Sequence, residues 1–269
     1  MKNATIPSRS FKFGRLRPRF WRTLLLVLAL PLADGSAANA APFQNGDFTT
    51  YVQGSWGTSS SAAGTLLTAN FNSVYAATFN TVTVGLPTTG FTMTFDAPTA
   101  VFNYLPAGGS PGTLNGNLLD PTSTSSGTFG GDVLALQFDV DFSKAGFLVH
   151  PSGIPFGSLV LQNFSTLPGL NGLTVSQFLA DANTCLGGGS CIESIGVMDT
   201  VTADLTVSFA GGIVHPPVTS NGVDFSTQVN LALPPSAVPL PAALPLFATG
   251  LGALGLLGWR RKRKAQAAA

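Results

Sequence analysis

Nearly all positive charge in this chain sits at its two ends, each time against an apolar run, and that partition confines a soluble fold to the stretch between them. Seven of the 13 Lys and Arg fall in the first 22 positions: Lys2, Arg9, Lys12, Arg15, Arg17, Arg19 and Arg22. Five more form one run, Arg260, Arg261, Lys262, Arg263 and Lys264, and only Lys144 stands between. Eleven of the 12 acids lie in residues 41–237, so this middle carries a formal charge of about −10 although the whole chain sums to +1. Such a stretch lacks the clustered Lys and Arg that neutralise phosphates, which excludes nucleic acid as an expected partner. It is long enough for one domain with a core of its own, or for two small ones. It is also rich in Gly, Thr, Ser, Asn and Phe and poor in charge, unlike the charged, aromatic-poor composition of disorder.

At the N-terminus the basic stretch leads into the apolar run Thr23–Ala33 and then into small residues ending Ala38-Asn39-Ala40. That order is the n-region, h-region and A-x-A site of a secretory signal peptide, residues 1–40. The run is too short to span a bilayer as a helix. Cleavage after Ala40 makes Ala41 the expected mature N-terminus. No Arg-Arg pair precedes the run, so nothing points to a twin-arginine route.

The other end has three parts. Val238-Pro239-Leu240-Pro241-Ala242 opens it, residues 242–259 are uncharged and mostly apolar, and the basic cluster 260–264 follows. Eighteen residues span about 27 Å as a helix, which is one hydrocarbon core. Trp259 suits the membrane interface, and the basic cluster belongs on the cytoplasmic side. Residues 41–233 then lie outside, as the signal peptide also requires. The tail, residues 238–264, resembles the PEP-CTERM sorting signals of Gram-negative bacteria and most closely the VPLPA-CTERM variant. Leu240 stands where the commoner form carries Glu. The resemblance implies processing by an exosortase-type protease, often alongside exopolysaccharide production. It also implies passage through the inner membrane to the cell surface or extracellular matrix.

Between these ends, several short runs alternate apolar and polar residues as half-buried strands do: Thr81–Val84, Phe91–Phe95, Leu136–Phe142 and Val201–Phe209. Turn pairs separate them, including Asn45-Gly46, Gly108-Gly109, Asn171-Gly172 and Asn221-Gly222. The reading is a mainly β, sandwich-like secreted module over 41–233, closed by a short linker at 234–237. One amphipathic helix interrupts it at about 174–186. Thr174 and Gln177 form a capping box, Leu173 and Phe178 are spaced for a hydrophobic staple, and Val175, Phe178, Leu179, Ala182 and Leu186 share a face that Gly187 ends.

Catalytic signals are sparse. Cys185 and Cys191 are the only cysteines, and in an exported chain they read as a disulfide. Gly108-Gly109-Ser110-Pro111-Gly112 matches the nucleophile-elbow pattern, but Pro111 has no N–H for an oxyanion hole, so the stretch reads as a glycine-rich turn. His150 and His215 both precede proline and read as loop residues. Asp139 and Asp141 fall on one, solvent-facing side of the expected strand with Asp132 nearby, a spacing that offers weak Ca²⁺ ligands and more simply a solvated face. No other metal site, catalytic residue or cofactor is expected.

These observations point to a non-enzymatic surface or matrix protein, structural or adhesive and associated with exopolysaccharide. The rival readings are a secreted polysaccharide hydrolase using carboxylates such as Asp139 and Asp141, and a plain tail-anchored envelope protein. The prolines separate the sorted protein from the plain anchor, because the membrane is indifferent to Pro239 and Pro241 whereas a protease needs the extended segment they enforce. The double change Pro239→Ala plus Pro241→Ala should leave export intact and block processing. Precursor then accumulates in the inner membrane on fractionation, and parent-like distribution would leave the tail as an anchor only.

Overall fold

A computed structural model describes residues 42–151 and 153–235. The expected signal peptide and sorting tail, with the transmembrane helix at 242–259, lie outside them. Among the described residues no helix is long and apolar enough to cross a membrane.

The described residues open with a short helix α1 (Gln53–Trp56) and a longer α2 (Ala62–Val74), then an antiparallel hairpin of β1 (Val82–Gly85) and β2 (Thr92–Phe95). Helix α3 (Pro98–Tyr104) and the two-residue β3 (Leu118–Leu119) follow, β3 pairing with β2 in parallel. The longest element is α4 (Gly127–Lys144). After it come β4 (Val160–Leu161), α5 (Val175–Leu186), α6 (Ile195–Val207), a hairpin of β5 (Val218–Ser220) and β6 (Val223–Phe225), α7 (Thr227–Asn230) and β7 (Leu231–Ala232), which pairs with β4. Helix accounts for 41% of the described residues and strand for 12%. The mainly β, sandwich-like expectation is therefore wrong: this is a helical core edged by small sheets.

The error has a definite source. Two of the four expected strands, Leu136–Phe142 and Val201–Phe209, lie in or run out of α4 and α6. Alternating apolar residues two apart step by about 200° around a helix, so they cover two opposite faces. On a helix with solvent on one side that pattern is disfavoured, but α4 is enclosed, and Leu136, Phe138, Val140 and Phe142 are all buried. Helix α6 is rich in β-branched residues, which favour strands. Its threonines lose their polar cost inside the helix by bonding backwards: Thr200 Oγ1 to Gly196 O at 2.9 Å and Thr202 Oγ1 to Met198 O at 2.6 Å. Tertiary burial overrode both local preferences.

Where one face meets the core and the other meets water, pattern and structure agree. Val82, Val84, Met93 and Phe95 are buried beneath the first hairpin, and Thr83 and Thr94 pair outside through their hydroxyls at 2.9 Å. Helix α5 carries its capping box, with Gln177 N–H donating to Thr174 Oγ1 at 3.1 Å and Thr174 N–H to Gln177 Oε1 at 2.7 Å. Its five expected core residues are all buried. Asn221 and Gly222 both have positive φ and form the two-residue turn between paired Ser220 and Val223, the left-handed geometry that Asn-Gly tolerates.

The core closes around α4. Trp56 packs on Phe138 and Phe142, with ring centroids 5.2 and 5.1 Å apart, and Phe43, Phe48 and Phe209 form a second aromatic group. Cys185, buried in the last turn of α5, is bridged to Cys191. Because that loop is short, replacing both cysteines with serine should lower unfolding free energy by about 2 kcal/mol in a urea titration. Two freely alkylatable thiols in protein isolated without reductant would contradict the pairing.

Candidate functional site

The C-terminal half of α4 forms one wall of an open groove of about 500 Å³, and the end of α2 and strand β1 form the other. Helix α4 supplies Gln137, Asp141 and Lys144, while Tyr75, Thr78 and Thr81 face them. On its floor Asp141 Oδ2 accepts from Tyr75 Oη–H at 3.0 Å and from Gln137 Nε2 at 2.8 Å. Burial pushes the Asp141 carboxyl above its ordinary value, and these two donors and Lys144 draw it partly back. Burial, reinforced by Asp141, raises Tyr75 well above the usual phenol, so its hydroxyl stays a donor. The walls therefore present an anchored carboxyl, an amide, hydroxyls and one flexible ammonium.

Between the lining residues Thr78 and Thr81 the chain turns through Phe79 and Asn80, both left-handed with φ 58° and 60°. Phe79 is 93% exposed. A bulky residue in that region is uncommon and persists only where its surroundings enforce it. Here two threonines do so reciprocally. Thr78 Oγ1 donates to Thr81 O at 2.6 Å and Thr81 Oγ1 to Thr78 O at 2.7 Å, while Asn80 N–H bonds Tyr75 O at 2.9 Å. The clasp holds an aromatic ring in water beside a groove lined with hydroxyls.

Asp139 is absent from this site. Two residues from Asp141 along a helix, it points to the opposite side and is fully buried. Its Oδ1 accepts from Tyr51 N–H at 2.8 Å and from Trp56 Nε1 at 3.2 Å, while Oδ2 has no partner. Burial pushes its carboxyl well up. The expected solvated face and shared Ca²⁺ position of Asp139 and Asp141 are thus both overturned by the helix, and the two carboxyls cannot oppose each other across a cleft. Asp132 lies about 10 Å further back along α4. Among the described residues no group of three or more His, Cys, Asp or Glu is arranged to hold a metal ion. Ser110 sits in a loop docked on the start of α4, where Thr128 N–H meets Gly109 O. His150 and His215 are in irregular segments, with His150 Nδ1 against its neighbour's carbonyl, Pro151 O. The sorting motif Val238–Ala242 lies outside the described residues.

Sequence reasoning missed Tyr75, Gln137 and Phe79. The one available signal was Asn80, a residue that tolerates left-handed backbone, directly before a strand.

Replacing Asp139 with leucine strands two buried donors, Tyr51 N–H and the Trp56 indole, and should lower unfolding free energy by about 3 kcal/mol in urea. Asparagine keeps an acceptor oxygen, so Asp139→Asn should lose less than about half of that. Equal losses would mean that the two hydrogen bonds contribute nothing.

No family model, no curated protein and no solved structure matches this chain.

Proposed function

We propose that this chain is an exported surface or matrix protein, delivered by an exosortase-type protease, whose module attaches without catalysis to extracellular polysaccharide. The delivery half rests on the signal peptide and the three-part tail. The binding half rests on one observation: Phe79 is held in water, in a left-handed turn between Thr78 and Thr81, two residues that line a groove walled by hydroxyl, amide and carboxyl groups. Sugars offer such a surface complementary chemistry, with apolar ring faces for an exposed aromatic and hydroxyls for the polar walls. The groove is shallow and open, which suits a stretch of polymer rather than an enclosed small molecule.

A hydrolase would instead need two carboxyls facing across a cleft. Asp141 is the single carboxylate in this groove, and its oxygen is already engaged by Tyr75 and Gln137.

The test is affinity electrophoresis of the exported protein in gels cast with exopolysaccharide purified from the producing cells. Phe79→Ala should restore most of the mobility lost by the parent, roughly a tenfold weakening for loss of one stacking ring, and leave the urea midpoint unchanged. Equal retardation of parent and variant would remove the groove from binding, and release of shorter glycans by the parent would replace this reading with a hydrolase.

A further inference from the structure

A second group of carboxyls lies between α4 and α6, away from the groove. Asp132 on α4 is buried, and Asp199 on α6 packs against the same turn of α4, close enough for each carboxyl to act on the other. Gln53 Nε2 of α1 donates to Asp132 Oδ1 at 2.9 Å, and Thr128 Oγ1, one turn before Asp132, donates to Asp199 Oδ2 at 3.2 Å. The other oxygen of Asp199 is buried without a partner, and so is one oxygen of Asp204, one turn further along α6.

Among the described residues no cation answers these acids. Lys144 is the sole Lys or Arg in residues 41–237 and lies twelve residues beyond Asp132, about 18 Å along the helix. The ionisable groups that act on Asp132 are Asp199 and Asp204 from α6, and Tyr104 of α3 lies within reach of its charge. Helix α5, which packs on both α4 and α6, carries Asp181 and the bridged Cys185. Strand β6 beside α6 carries Asp224, exposed and held by Thr219. All of these are acidic or neutral. Two carboxylates that meet out of water cannot both be charged without strong repulsion, whereas one proton between them turns the contact into a charge-assisted hydrogen bond.

We propose that Asp132 and Asp199 form a proton-held latch: one proton shared between their carboxyls clamps α4 to α6, and its loss loosens the pair of helices on which the core is built. Burial, first, and then the charge of Asp199 push Asp132 up to about 8. Burial raises Asp204 to about 6 in the same direction. These folded values lie above the ordinary 3.8, so the folded protein keeps protons that the unfolded chain releases. The latch contributes fully below about pH 4 and is lost as pH rises through about 8. This inference concerns the α4–α6 contact and stands whether or not the groove binds polysaccharide.

The test is thermal unfolding of the exported full chain, extracted in mild detergent, from pH 5 to pH 9. The parent should lose several degrees of Tm across this range, falling steadily from pH 5 and levelling off above about pH 8. Asp199→Asn donates an amide hydrogen to Asp132 at every pH, so it should flatten the profile and unfold above the parent at pH 8.5. A parent whose Tm is flat or rises with pH overturns the latch, as does an Asp199→Asn variant that retains the full loss. If the variant fails to fold, infrared spectra of the parent decide: a protonated-carboxyl band that disappears with a midpoint near 8 supports the latch, and no band titrating there removes it. Recovery of the lost Tm by millimolar CaCl₂ at pH 8.5 would make the pair an ion site and likewise overturn the proposal.

Discussion

The fold depends on enclosing α4, a helix that carries Asp132 and Asp139 into the interior and Asp141 to the floor of a groove. Each buried carboxyl imposes a partner from another part of the chain, because leaving it bare would cost several kcal/mol. Asp139 draws in the Tyr51 amide and the Trp56 indole, which sets α1 against the helix and brings the Trp56 ring onto Phe138 and Phe142. Asp132 takes Gln53, whose own oxygen accepts from Ala107 N–H and ties down the chain after α3. Asp141 takes Tyr75 and so holds the end of α2. The polar positions that look outward in the sequence are the ones that assemble the N-terminal third of the module.

Neutral donors do this work because the module has almost no cations. In a domain with ordinary Lys and Arg content, buried carboxylates are paired and held in the charged form, and folding favours neutral pH. Here amides, an indole and a phenol engage one oxygen each of Asp132, Asp139 and Asp141, and burial tilts all three toward the protonated form. One compositional fact, a single lysine in the whole module, therefore shapes the geometry of the interior and the direction of its pH dependence.

The groove is the surface end of the same arrangement. Where α4 reaches solvent, Gln137 and Asp141 keep their interior-style hydrogen bonds while Lys144 reaches into water. The Thr78–Thr81 clasp then spends local backbone strain on keeping Phe79 out of a core that already holds many phenylalanines. The result is a rigid polar floor below a turn that holds one exposed ring.

The sequence by itself determined what local chemistry controls. The β1–β2 hairpin, the capped α5, the Asn221-Gly222 turn and the Cys185–Cys191 bridge were all legible, because alternation over a half-exposed sheet, a capping box, left-handed turn residues and two nearby cysteines act within a few residues. The proposed export and sorting signals are likewise local readings of contiguous runs of charge, apolar length and proline. Only the tertiary structure decided that Leu136–Phe142 and Val201–Phe209 are helical, since a helix surrounded by protein shows no single apolar face and its alternation mimics a strand. It also decided the fate of the acids: Asp139 goes inside, Asp141 lines a groove and Asp132 meets Asp199 from a helix 67 positions on. Those outcomes depend on partners distant in the chain, and periodicity carries no record of them.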